Sequence, residues 1–223
     1  CDLKEKNNHI LFHIGGCKNP LVDVFPKYYL NILAEALNTI SSCKHRIKIT
    51  GGIAAINFLK SLLNNNIIEA VSLDHNQFIK ELGRSTHLIT TAGQTTTLEA
   101  FARDIPTSFL LPMNLSQCAL TDVLSEFKVT PQKLIWSDYV TTNVCLSKLN
   151  EKDAIVELGT YAEEIATSNL LFEKFKSDLA KIIESVPDNV GQRKFIEYMG
   201  INGADIIVEI LIKKWNLSKL SSL

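Results

Sequence analysis

The sequence predicts an α/β fold: a parallel sheet flanked by helices on both faces, with a helical C-terminal extension. Three observations predict it. Over residues 9–111, short apolar runs alternate with stretches whose apolar residues recur at helical spacing, the pattern of β-α-β units. The connections between them are short, as such units require. Beyond about residue 150 the short runs stop, and apolar residues such as Ile155, Leu158, Ala162 and Ile165 keep helical spacing only.

The elements follow in order. Residues 1–8 (CDLKEKNN) are polar and read as a linker or an excision boundary, and a start on Cys1 rather than Met suggests a piece of a longer chain. The apolar run 9–14 is a strand ended by Gly15-Gly16, and 25–40 is a helix carrying Tyr29, Ile32, Leu33, Ala36 and Leu37 on one face. Residues 46–50 (RIKIT) alternate as a second strand, stop at Gly51-Gly52 and lead into a helix over 54–63. Residues 67–73 form a third strand, closed by Asp74-His75-Asn76. A short helix over 77–83 takes Gly83 as its C-terminal cap. Strand four is 87–91, followed by a helix over 95–103 that Asp104-Ile105-Pro106 ends. Strand five, 107–111, closes at Pro112, and 132–136 (QKLIW) reads as a sixth. Residues 151–184 are helical up to Pro187-Asp188-Asn189, then 192–199 and 204–215. The expected organisation is a sheet domain over 9–148, a helical extension packed on it over 149–216, and a frayed tail over 217–223.

Composition narrows the function. With 223 residues and 46% hydrophobic content the chain can bury a substantial core. A net charge of −1, from 23 basic and 24 acidic residues, argues against a broad nucleic-acid-binding face. No apolar run has the length of a membrane span, and the polar start lacks a secretory-signal pattern. The cysteines (Cys1, Cys17, Cys43, Cys118, Cys145) are odd in number, widely spaced and without CxxC. That pattern disfavours a disulfide framework or zinc site and fits a reducing, cytoplasmic compartment. His9, His13, His45, His75 and His87 form no HxxxH or HExxH, so no metal is expected.

The chemistry concentrates in residues 90–117, TTAGQTTTLEAFARDIPTSFLLPMNLSQ. A strand ends, Gly93 turns the chain with backbone freedom other residues lack, and Thr95 or Thr96 caps a helix. Free amides at a helix start, together with its dipole, form an anion site. Glu99 stands one turn further on, where its carboxylate can accept two ribose hydroxyls while phosphates occupy the helix N-terminus. That geometry fits a nucleoside diphosphate.

The pattern Thr91-x-Gly93-x-Thr95-Thr96-x-x-Glu99, then Ile105-Pro106, Pro112 and Ser116-Gln117, resembles the donor motif of nucleotide-sugar glycosyltransferases with the two-domain B-type fold. The similar families are the UDP-glycosyltransferases and the MurG-type N-acetylglucosaminyltransferases. The resemblance extends over residues 9–127 and implies a Rossmann-like domain. Residues 10–16 (ILFHIGG) are similar to the first strand of the families' C-terminal domain, whose Gly-rich loop faces the diphosphate.

The resemblance implies phosphate contacts from Gly15, Gly16, Thr91, Gly93, Thr95 and Thr96, a ribose contact from Glu99, and sugar contacts from Asn114, Ser116 and Gln117. Residues 71–82 are similar to the segment meeting the base, and Phe78 is the candidate there. Two positions depart from the pattern. Thr91 stands where the families often have His or another basic residue, and Lys18 is the candidate for the missing charge. Ser116 stands where the plant-type enzymes often have Asp, which leaves the sugar open. His13 reads as a structural strand histidine, and Cys17 and Cys118 lack an activating partner.

What the resemblance implies about function is a UDP-linked donor as substrate, no cofactor, and transfer of a sugar to an unidentified acceptor. The acceptor-binding N-terminal domain and the catalytic base would lie outside this chain or on a partner, leaving the isolated piece nearly inactive. Two other readings stay open: a sugar-nucleotide epimerase or hydrolase of the same fold, and a non-catalytic subunit that completes an active site on a partner chain.

Overall fold

The computed structural model describes residues 9–15, 17, 25–40, 46–129, 132–141 and 144–220. Its centre is a five-stranded, all-parallel sheet in the order β3-β2-β1-β4-β5. The strands are β1 (His9–Ile14), β2 (Arg46–Gly51), β3 (Ile68–Val71), β4 (His87–Thr90) and β5 (Thr107–Phe109). Helices α1 (Lys27–Asn38), α2 (Ile53–Leu62), α3 (His75–Arg84) and α4 (Gln94–Ala102) connect them, and α5 (Leu115–Glu126) follows β5. Then come α6 (Glu151–Thr167), α7 (Asn169–Glu184), α8 (Val190–Met199) and α9 (Gly203–Leu220). The predicted fold class is the one observed.

Strand β1 explains why the sheet sits in the middle. It pairs with β2 on one side (Phe12 opposite Ile49) and β4 on the other (Phe12 opposite Ile89). A strand covered on both faces reads as a nearly continuous apolar run, and Ile10, Leu11, Phe12 and Ile14 are all buried. Alternation sends Ile10, Phe12 and Ile14 to one face, where α1, α2, α6 and α7 pack. Leu11 goes to the other, with Phe78 and Leu82 of α3, Phe101 of α4 and Phe195 of α8. A polar tie crosses at the edge. Lys48 of β2 donates to Glu81 of α3 at 2.7 Å. Burial opposes the charge on Glu81, but Lys48, His9 and Arg84 outweigh it and hold the carboxyl below its ordinary range.

Several expectations are corrected. The sixth strand over 132–136 reduces to one parallel bridge, Phe109 to Lys133. The Trp136 indole donates to the Pro112 carbonyl at 2.8 Å, and the chain turns into a short 3-10 segment at Trp136–Asp138 instead of continuing along β5. Gly83 lies inside α3, whose C-cap is Ser85. The run 151–184 splits at Ser168, whose hydroxyl caps α7 by accepting from the Leu171 amide. Helix α9 runs through Leu220, and residues 221–223 of the expected tail lie outside the described residues. Helix α5 had no counterpart in the sequence reading, because two of the three residues it buries, Gln117, Thr121 and Leu124, are polar. An amphipathic pattern could not reveal it. Asn114 followed three residues later by Gln117 was the available signal.

Candidate functional site

The order 3-2-1-4-5 reverses between β1 and β4. In open parallel sheets the ligand crevice lies at such a switch point, outside the carboxyl ends of the strands. Here the turn after β1, the turn after β4 and the segment between β5 and α5 meet there. Their side chains lace the loops together. Thr91 donates from its hydroxyl to the Gly15 carbonyl at 3.2 Å. Gln117 donates from Nε2 to the same carbonyl and to Thr91 Oγ1, each at 3.3 Å. The Gln117 Oε1 accepts from the Met113 amide at 2.8 Å.

Above this lattice opens a cavity of about 460 Å³ lined by Ala92, Gly93, Gln94, Asn114, Ser116 and Gln117. It lies between the starts of α4 and α5. Those starts differ. The Asn114 side chain accepts from the Gln117 amide at 2.9 Å and caps α5, whereas Gly93 caps α4 with no side-chain hydrogen bond. The Thr97 amide bonds to the Gly93 carbonyl, which leaves the amides of Gln94, Thr95 and Thr96 without helix carbonyls of their own. Unpaired amides and the positive end of the helix dipole favour an anion.

Two local expectations change here. Thr95 and Thr96 sit within the first turn of α4 and do not cap it, since the N-cap is Gly93. Gly93 has φ −85° and ψ 129°, an ordinary extended conformation, so it supplies space rather than special dihedrals. A Cβ there would meet only the Thr91 carbonyl, at 3.9 Å. At the end of neighbouring β2, Gly51 is fixed by packing: its Cβ would lie 2.8 Å from the Ile14 carbonyl.

Gly15 and Thr91 adjoin each other in the floor of the crevice. Gly16 and Lys18 lie outside the described residues. Gln94, Thr95 and Ser116 are exposed, and Asn114 is half-buried at the cavity edge. Glu99, one turn into α4, is half-buried and lies 3.5 Å from Nε2 of the exposed His75. The sequence reading missed His75, which follows the Asp74 cap of α3 and carries no motif of its own. Phe78 is buried in the α3 core, its ring 4.7 Å from that of His13. Gln117 is buried, with both ends of its amide engaged within the protein. Burial pushes the Cys17 thiol up to about 12 and the Cys118 thiol up to about 11, which opposes formation of nucleophilic thiolate. Among the described residues no group of three or more His, Cys, Asp or Glu could hold a metal ion, and no helix is long and apolar enough to cross a membrane.

Fold and crevice together define a Rossmann-like α/β domain with an uncapped helix start at its switch point. No family model and no curated protein matches the chain. Solved structures do. One is S. aureus MnaA in a co-structure with UDP, at 8% identity and a TM-score of 0.40 over 86% of this chain and 46% of that one. Another is the spinosyn rhamnosyltransferase SpnG complexed with spinosyn aglycone, at 14% identity and a TM-score of 0.41 over 86% and 46%. A third is the glycosyltransferase VinC in complex with dTDP, at 11% identity and a TM-score of 0.37 over 85% and 40%. The chain spans less than half the length of these structures.

Proposed function

We propose that this chain is the donor-binding part of a glycosyltransferase that uses a nucleoside-diphosphate sugar, UDP-linked by preference. One observation carries the reading. The start of α4 has no side-chain cap, opens on the crevice, and holds Glu99 one turn away. The diphosphate lies across the α4 amides with help from Gly15, Gly16, Thr91, Thr95, Thr96 and Lys18. The ribose hydroxyls donate to Glu99, and the sugar extends toward Asn114 and Ser116. The part this chain plays in the reaction is to stabilise the departing diphosphate with fixed amides and hydroxyls. No cofactor takes part. A base and an acceptor site come from an N-terminal domain or a partner chain, in the cytoplasm.

One feature supports dependence on such a second body. Helix α9 exposes Ile206, Ile207, Val208, Ile210, Leu211 and Ile212, and contiguous apolar surface of this kind marks interaction sites.

The test is UDP and UDP-sugar binding by calorimetry with wild type and Glu99→Ala. The wild type binds, and Glu99→Ala binds at least about tenfold more weakly, since it loses hydrogen bonds to a charged acceptor. Equal affinities, or no wild-type binding at millimolar nucleotide, refute the reading.

A further inference from the structure

His13 lies at the carboxyl end of the central strand, on the floor of the same crevice. A methyl group added at Gly15 would sit 3.6 Å from its Nε2 and 3.7 Å from Thr91 Oγ1. Its other nitrogen, Nδ1, is 3.1 Å from Thr50 Oγ1. Thr50 is buried, and its hydroxyl donates to the Phe12 carbonyl at 3.0 Å. A hydroxyl has one proton. With that proton on the Phe12 carbonyl, Thr50 Oγ1 can only accept from the ring, so His13 carries its hydrogen on Nδ1. Nε2 is then a bare lone pair beside Gly15, with no hydrogen-bond partner among the described residues.

A bare lone pair is repelled by a phosphate oxygen. The Thr50 hydroxyl stands within reach of both the Phe12 carbonyl and Nδ1, and the imidazole can hold its hydrogen on either nitrogen. We infer that His13 and Thr50 form a reversible proton pair that turns Nε2 from an acceptor in the free protein into a donor when a diphosphate enters. In the bound state the Thr50 hydroxyl swings from the Phe12 carbonyl to Nδ1. The ring loses its Nδ1 hydrogen to solvent and takes one from solvent on Nε2, which donates it to a phosphate oxygen. Charge and proton count are unchanged. This inference rests on the donor-binding reading and adds to it a neutral phosphate ligand. That ligand stands beside Thr91, the position where the similar families often have a basic residue.

The surroundings fit a neutral ring. Thr50 from β2, Phe78 from α3, Thr91 after β4 and Gly15 face it, none of them charged. Burial alone pushes its pKa down to about 4, with no charged neighbour contributing.

The experiment is ¹⁵N long-range correlation NMR of the imidazoles, with His13 assigned through His13→Phe. That variant keeps a ring against Phe78. Free protein is expected to show hydrogen on Nδ1 and a bare Nε2, and UDP-saturated protein the reverse. Persistence of the free pattern at saturation overturns the inference, as does a doubly protonated ring. If amides around Gly93 and Glu99 shift with UDP while the His13 pattern stays, the inference alone fails. If no resonance responds at millimolar UDP, the donor-binding reading fails and this inference with it. His13→Phe is expected to weaken UDP binding about tenfold through one lost hydrogen bond to a charged acceptor, with the melting temperature preserved. A folded variant within about twofold of wild type overturns the inference.

Discussion

Helices α3 and α4 both begin where a parallel strand ends, and both bury a face in the same core. Their first turns are finished in opposite ways. At α3 the Asp74 carboxylate accepts from the Gln77 amide at 2.8 Å, and the Gln77 side chain accepts from the Asp74 amide at 3.1 Å. That capping box consumes donors and places a negative charge at the helix start. At α4 the cap is Gly93, with neither a side chain nor a charge. A chain that can build a full cap at one strand-to-helix junction leaves another bare. The bare start, which α2 shares at Gly52, leaves the first α4 amides without a side-chain acceptor, and at α4 the cavity opens beside Gly93 and Gln94.

The comparison breaks most sharply if the α3 solution is moved to α4. Gly93→Asp fits the site, because the cap is extended and a Cβ would touch only the Thr91 carbonyl. The aspartate is expected to leave the melting temperature unchanged or slightly raised, since Asp is a somewhat better N-cap than Gly. It is also expected to weaken UDP binding by about 100-fold or more, because it takes an amide and adds a charge at the phosphate position. Gly93→Asn separates the two causes by consuming the amide without the charge. Wild-type UDP affinity in both variants, measured by calorimetry, would remove the meaning of the bare cap.

A smaller effect is expected one turn along. Glu99→Gln keeps the size but loses the charge and one of the two acceptor oxygens. UDP binding is expected to weaken about tenfold, while pyrophosphate, which has no ribose, binds as before. Loss of both ligands equally would show that Glu99 supports the helix start rather than the ribose.

The contrast also explains what could be read from the sequence. The five strands and their order of appearance were legible because each is a short apolar or alternating run bounded by Gly, Pro or a polar break. The uncapped helix start was legible because Gly93 follows a strand and Glu99 stands one turn into the helix after it. Other features depend on contacts between distant residues. The buried role of Gln117 appears only when its amide reaches Gly15, 102 residues away. The state of the His13 ring is set by Thr50, on another strand. Helix α5 was hidden because its buried face is largely polar, and the sixth strand was overread because an apolar run does not reveal that Trp136 turns back to Pro112.

The least expected change is at the capped junction, and it serves as the control. Asp74→Ala removes the carboxylate that accepts from the Gln77 amide and leaves the Gln77 side chain half of the box in place. Loss of a side-chain N-cap costs about 1 kcal/mol, read as a lower midpoint in urea at unchanged slope. UDP affinity is expected to stay within about twofold of wild type, because the proposed phosphate site is the start of α4. If the freed α3 start instead raises affinity for inorganic phosphate, any bare helix start on this side of the sheet binds anions. The special standing of α4 would then come from Glu99 and the crevice around it, and the missing cap would be secondary.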